Sequence, residues 1–233
     1  MSGELHLANS GRLTAGVDLT NPPYGYTDPN NGTPTGFEVD LVRAVAKAMQ
    51  LKLTILNRAA PSLLPAVLAR RVDIGAASFR DDGIPPPDVC RSAPYMDADL
   101  AVVVPAANAS TIKSVDDIAG KRVAVVRDSA GARWATQHLE GAAVVKVDTA
   151  DDVFGAVRSA GVDAAVVDRP VALRTQTAVP QVRAVATVKT DAHYTFLGAV
   201  ETSVMAPVDT ALRTLQSDGT LDDLKRRWFG PGL

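Results

Sequence analysis

Short apolar runs of strand length alternate with amphipathic stretches of helix length, and the whole scheme occurs twice. Residues 13–17 (Leu-Thr-Ala-Gly-Val) read as a buried strand. A loop rich in Pro, Gly, Asn and Tyr follows at residues 21–36. Residues 37–49 then place Val39, Val42, Val45, Ala46 and Met49 at helical spacing. A strand at 51–56 comes next. It is followed by a helix that has Leu63, Leu64, Val67 and Leu68 on its apolar side and Ser62 at the N-cap position. A short strand at 72–77 closes the first unit. The βαβαβ order requires parallel strands with right-handed crossovers, so the fold class is α/β.

An apolar run at 100–104, closed by Pro105, reads as a strand leaving this unit. The second unit has a short helix from Asp116, a strand at 122–126 and a helix from Ser129 to Leu139. A strand at 144–147, a helix at 150–160, a strand at 162–168 and a helix opened by Pro170 complete it. Each unit contains a strand ending in Asp. A final helical pattern at 208–228 breaks at Asp218-Gly219, where glycine suits the position just past a helix end. Residues 80–87 (Arg-Asp-Asp-Gly-Ile-Pro-Pro-Pro) form a stiff loop, because three prolines in a row bar both a helix and a central strand.

With 233 residues the chain fits one large domain or two small lobes. Its formal charge is -2, with Lys and Arg scattered, so no field draws in nucleic acid or an anionic membrane. The one tight basic run, Lys225-Arg226-Arg227, reads as a solvated helix face. Cys90 is the only cysteine, which rules out an intrachain disulfide and a cysteine metal site. His6, His138 and His193 stand in no motif that pairs them with it. No phosphate-cradling glycine loop, dinucleotide fingerprint, Gly-x-Ser-x-Gly elbow or His-Glu-x-x-His is present, and neither metal nor cofactor is expected. No apolar run approaches the roughly 20 residues that cross a bilayer. The opening Met1-Ser2-Gly3-Glu4 lacks the basic and apolar regions of a leader. It fits a cytoplasmic start or one that replaces a removed leader.

Polar residues at strand ends are the candidates for function. Asp168 lies at the C-terminal end of a strand, where ligands of open α/β sheets bind; a turn aspartate paired with Arg169 is the plainer reading. Asp18 also follows a strand directly. Ser129, at a strand-to-helix turn, suits both a helix N-cap and an anion site. Tyr24, Tyr26, Phe79 and Tyr95 fall in or beside loops, in a chain with 5% aromatics. For acid–base chemistry the candidates are Glu38, Asp82 and His193, none with a partner evident in the pattern.

Five stretches in order resemble one family: the polar amino-acid-type periplasmic binding proteins that feed ABC transporters, the family 3 solute-binding proteins. The first runs from Leu13-Thr14-Ala15-Gly16-Val17-Asp18 through Pro22-Pro23-Tyr24 to Gly36-Phe37-Glu38-Val39-Asp40-Leu41. The second is Arg71-Val72-Asp73-Ile74-Gly75 with Ser92-Ala93-Pro94-Tyr95. The third is Ile118-Ala119-Gly120-Lys121-Arg122-Val123-Ala124-Val125. The fourth is Gly161-Val162-Asp163-Ala164-Ala165-Val166-Val167-Asp168-Arg169-Pro170. The last runs from Ala211-Leu212 through Ser217-Asp218-Gly219-Thr220-Leu221 to Lys225-Arg226-Arg227-Trp228-Phe229.

The resemblance implies a two-lobed, type II periplasmic-binding-protein-like fold. Each lobe would be a mostly parallel sheet flanked by helices. Residues 1–98 and 191–233 would form one lobe and 99–190 the other, joined by two hinge strands near 97–102 and 188–194. It implies one small polar ligand, an amino acid or related zwitterion, held in an interlobe cleft for delivery to an ABC transporter permease. The protein would be a monomer, periplasmic or extracellular, soluble or lipid-anchored. The same lobes serve as ligand-sensing modules and, in cyclohexadienyl dehydratases, as enzymes; no catalytic residue is assigned here.

By resemblance, Asp18 matches an acid that reads the ligand's side-chain end. Tyr24 and Tyr95 match aromatic positions near the cleft, and Phe79 stands beside Ser78, where small polar residues contact the ligand. Ser129 and Ala130 match the turn that holds the ligand carboxylate. Asp168 matches the acid that pairs with the α-ammonium. One departure stands out. In the family's Thr-x-x-Arg, whose arginine clamps the carboxylate, the two positions are taken by Asp82 and Pro85. Either Arg80 reaches the ligand as a substitute, or the ligand lacks an α-carboxylate and Asp81 or Asp82 helps hold a cation.

Overall fold

The structure, a computed structural model, describes residues 5–231 and residue 233. The start read above at Met1-Ser2-Gly3-Glu4 lies outside the described residues. The chain divides into two compact units: residues up to Asp97 with Ala192–Trp228, and Ala98–Asp191 with the residues from Phe229 onward.

In the first unit, strand β1 (Arg12–Val17) is buried along almost its whole length, as an unbroken apolar run in a parallel sheet should be. Hairpin-like strands β2 (Thr20–Asn21), β3 (Gly25–Thr27) and β4 (Pro34–Thr35) form a small antiparallel sheet. The stretch read as a plain loop is therefore partly ordered by its own pairing. Helix α1 (Phe37–Ala48) buries Phe37, Glu38, Val39, Leu41, Val42, Val45 and Ala46. Strand β5 (Lys52–Asn57), helix α2 (Ala60–Leu68) and strand β6 (Ile74–Arg80) follow. β1 lies between β5 and β6, parallel to both, in register Arg12↔Lys52 and Ala15↔Ile74.

Two expectations need correction here. The N-cap of α2 is Ala59, and Ser62 sits inside the helix with its hydroxyl donating to the Ala59 carbonyl. The strand expected at 72–77 is β6, at 74–80, so Arg80 ends the strand instead of opening the loop, and Phe79 stands in the strand just before it. Strands β7 (Val89–Arg91) and β8 (Met96–Asp97) are short and antiparallel, and neither shows in the hydrophobic pattern.

The second unit repeats the plan with β9 (Leu100–Pro105), β10 (Arg122–Val126), helix α3 (Ala130–His138), β11 (Ala143–Val147), helix α4 (Ala150–Arg158) and β12 (Ala164–Asp168). Helix α5 (Arg169–Ala178) and β13 (Val182–Val188) complete it. Its sheet order is β11-β10-β12-β9-β13, with β10 parallel to β11 and β12 and with β9 antiparallel to both its neighbours. Successive residues of β9 face opposite sides, as the pleat requires. Leu100, Val102 and Val104 join the core on one side and Ala101 and Val103 the core on the other.

The chain then returns to the first unit as β14 (His193–Ala199), antiparallel to β6, and helices α6 (Met205–Ser217) and α7 (Thr220–Phe229). The break between them is Gly219, at φ 82, a backbone state that glycine adopts without steric cost. Residues 98–99 and 189–192, where the two units meet along the chain, are not in strands. No helix among the described residues is long and apolar enough to cross a membrane.

Candidate functional site

In the second unit the candidate groups sit at the C-terminal ends of β10 and β12. These strands are adjacent and parallel, paired Val123↔Ala164 and Ala124↔Ala165, so both ends lie on one edge of the sheet. After β10 the chain turns through Asp128, at φ 58, into Ser129. Ser129 is the N-cap of α3, as its position predicts: its Oγ accepts from the Ala132 N–H at 3.0 Å. Gly131 brings the first turn of α3 against β12, where a Cβ would lie 2.5 Å from the Val166 carbonyl oxygen. Any side chain there would push the helix off the strand. The result sets Ser129 and Ala130 beside the end of β12, where Asp168 stands half-buried as the residue before α5. The first N–H groups of a helix have no partner within it, so Ala130 and Gly131 offer donors on an edge that also carries a carboxylate.

Nearby, Asp99 is buried and accepts from Lys189 Nζ at 2.7 Å and from the Thr190 N–H at 3.3 Å. It ties the two chain segments at this unit's boundary together.

In the first unit, Asp18 directly follows β1, and Ser78 lies in β6 just past its last pairing with β1, Val17↔Ala76. Asp18 is buried and has internal partners on both oxygens. Oδ1 accepts from the Thr20 N–H and hydroxyl at 2.9 and 2.6 Å, and Oδ2 accepts from the Ala60 N–H at 2.8 Å. The last bond caps α2 from outside the helix. Ser78 has φ 51, unusual for a residue with a side chain, and its N–H donates to Glu38 Oε1 at 2.7 Å. Asn21 Nδ2 donates to the Ser78 hydroxyl at 3.3 Å.

Glu38 is fully buried, and its Oε1 also accepts the Tyr95 hydroxyl. Burial pushes its carboxyl up to about 7; the bonds from Tyr95 and Ser78 oppose this, and the charge of Asp18 adds to it. Its Oε2 is buried without a hydrogen-bond partner. Tyr95 is held well above 10, first by burial and then by the charge of Glu38.

Tyr95 and Tyr24 are each 1% exposed. The Tyr95 ring packs on Phe37 and Phe196, with centroids 6.0 and 4.8 Å away, and Tyr24 meets Tyr194 edge to face at 5.5 Å. Both are core rings with polar tips. Phe79 packs on the cluster of Ala66, Val67, Val72 and Leu197. Tyr26 packs against Trp228.

Arg80 is 11% exposed, and its Nε donates to Asp82 Oδ2 at 2.7 Å, so two of the expected ligand contacts are paired with each other. Asp81 accepts from the His193 N–H at 2.6 Å and meets its Nδ1 at 3.1 Å. Burial raises the Asp81 carboxyl, but the bonds from His193 outweigh it and hold it below its usual value.

All three acid–base candidates thus have partners: Asp82 pairs with Arg80 close by, and Glu38 and His193 with segments far away along the chain. One sequence signal bears on Glu38. Glu38, Leu41, Val42 and Val45 follow helical spacing, so an acid occupies the apolar face of α1. Among the described residues no group of His, Cys, Asp and Glu could hold a metal ion.

The family model of the bacterial extracellular solute-binding proteins, family 3, matches residues 13–231. The L-cystine-binding protein TcyJ of Escherichia coli is 27% identical over 224 residues, 94% of this chain and 83% of that protein. The ABC transporter arginine-binding protein 1 of the same species is 25% identical, over 94% and 90% of the two chains. Among solved structures, the ancestral cationic amino acid solute-binding protein AncCDT-1 is 29% identical with a TM-score of 0.82, over 94% of this chain and 96% of that one. A second structure of AncCDT-1 is described as a precursor of cyclohexadienyl dehydratase.

Proposed function

Because this chain belongs to the family 3 bacterial extracellular solute-binding proteins, we propose that it binds an amino acid or related small zwitterion and delivers it, unaltered, to an ABC transporter. The carrying observation is the edge of the second unit, where a carboxylate at the end of β12 stands beside the first turn of α3. An α-amino acid bears an ammonium and a carboxylate on one carbon. Asp168 suits the first, and the Ser129 hydroxyl with the Ala130 N–H suits the second. The relatives whose names specify cystine and arginine bind molecules with these two groups.

In this reading the first unit supplies the groups that read the rest of the ligand. Those are Ser78 and Phe79, with Arg80 and Asp82 as a pair whose guanidinium takes the ligand carboxylate when Asp82 gives way; Asp18, engaged on both oxygens, and the core rings Tyr24 and Tyr95 hold the unit together behind them. The protein acts outside the cytoplasmic membrane as a monomer. The binding reading is favoured over dehydratase chemistry because Glu38, the buried acid, is engaged by Ser78 and Tyr95 through one oxygen.

A thermal-shift screen against the common amino acids, polyamines, betaines and small dicarboxylates tests this, with L-arginine and L-cystine first. A ligand at a hundredfold excess over its Kd raises stability by about 2.7 kcal/mol. Asp168→Asn is expected to abolish the shift, since an unpaired ammonium in such a site costs about 2–5 kcal/mol. Arg80→Ala separates the two readings of that residue: loss of the shift makes it the carboxylate clamp. Silence from every amino acid, with or without a hit among cations, would mean that the missing arginine is real and the ligand is something else, and would favour the sensor reading.

A further inference from the structure

We infer that Glu38 is the positioning residue of the first unit's ligand-reading segment: by taking the Ser78 N–H and the Tyr95 hydroxyl on one oxygen, it fixes the step in β6 that presents Ser78, Phe79 and Arg80. This deepens the binding function proposed above and rests on it.

The step is visible in the register. β14 advances two residues from Leu197 to Thr195, while β6 advances four, from Gly75 to Phe79. Two extra residues therefore bulge out of β6 next to the strand end, a place where bulges re-aim side chains. Ser78 takes up the distortion at φ 51, a state that residues with a Cβ hold only when the surroundings enforce it. What enforces it is the bond to Glu38, across 40 residues of sequence, supported by Asn21 on the hydroxyl.

Glu38 itself is held from the far side by Tyr95, whose ring is fixed between Phe37 and Phe196. A leucine at this core-facing position of α1 would pack without the desolvation an acid suffers. The acid supplies what leucine lacks, an acceptor aimed at a strained amide.

Protonation is built into the same contact. Both donors converge on Oε1, which leaves Oε2 to carry the proton. The bond to Ser78 then persists in both states but strengthens when Glu38 is ionised. The groups acting on this carboxyl are Asp18 beyond β1 and Tyr95 before β8, and Tyr194 on β14 acts through Tyr95. Neutral pH lies near the point where Glu38 changes charge.

The test follows the Ser78 amide by 15N–1H NMR in the ligand-free protein between pH 5 and 9, alongside Kd values for L-arginine and L-cystine. In the wild type the Ser78 amide is expected to titrate with a midpoint near that of Glu38; in Glu38→Gln, which keeps the acceptor, it stays flat. Glu38→Ala is expected to weaken binding about tenfold or more, the scale of one lost charge-assisted bond. Glu38→Gln binds within about threefold of wild type and loses the pH dependence. Val42→Ala, on the same buried helix face, lowers stability and leaves Kd unchanged, which separates positioning from folding. A Ser78 amide that does not titrate, or an unchanged Kd in Glu38→Ala, overturns the assignment. Should no amino acid bind the wild type, the proposed function fails, and the Ser78 titration still decides the role of Glu38.

Discussion

In the second unit the helices that follow the first two strands of the parallel set are capped from within. Ser129 accepts from Ala132, and Thr149 with Asp152 forms a reciprocal capping box at α4. The matching helices of the first unit have no side-chain cap of their own. The Phe37 and Glu38 N–H groups at the start of α1 donate to the carbonyls of Pro23 and Tyr24, and Ala60 at the start of α2 donates to Asp18. Gly36 marks how close this contact is: a Cβ there would lie 2.3 Å from the Tyr24 carbonyl oxygen. The helix N-termini of the first unit are thus closed by the protein itself. At α3 the cap is Ser129 itself and the first turn lies against β12; in the proposed function this half, built by local contacts, is the one that takes the ligand's carboxylate. The half built by distant contacts ties the Ser78 step of β6 to Glu38.

The largest test of this contrast is the pH dependence of stability. The folded protein keeps a proton on Glu38 up to about 7, whereas the unfolded chain releases it near 4.5. Stability from this group is therefore complete below the lower value, falls across that window and is flat above it. The fall amounts to about 3 kcal/mol. Urea denaturation of Glu38→Gln is expected to lack that slope; an unchanged slope would mean the carboxyl is not buried as described.

Asp18→Ala comes next, at about 2–3 kcal/mol, because it strips an acceptor from three donors and uncaps α2. Ser129→Ala and Thr149→Ala are the smallest, about 1 kcal/mol each, the usual cost of a local cap. Equal losses at Asp18 and Thr149, read by the same denaturation midpoints, would erase the distinction between distant and local capping.

What could be read from the chain alone follows the same line. The repeated strand–helix order, the continuous burial of β1 and β9, the Ser129 cap and the glycine between α6 and α7 all depend on neighbours within a few residues or on simple periodicity. Ser62 is a good capping residue near a helix start, but the bond at the start of α2 comes from Asp18, which the sheet places there from another segment. The strand expected to end at residue 77 runs on to Arg80 because Ser78, Phe79 and Arg80 carry no apolar alternation and are held by pairing with β14. Glu38 was visible only as an acid on an apolar helix face. That it lies beneath Ser78, is gripped by Tyr95 and feels the charge of Asp18 depends on segments 20 to 57 residues away. By itself the sequence determined the elements and their order, since periodicity and short-range capping suffice for that. Only the packed sheet decided which polar groups meet, because hydrogen bonds and burial act through space and the chain brings those groups together only once β1, β6 and β14 are paired.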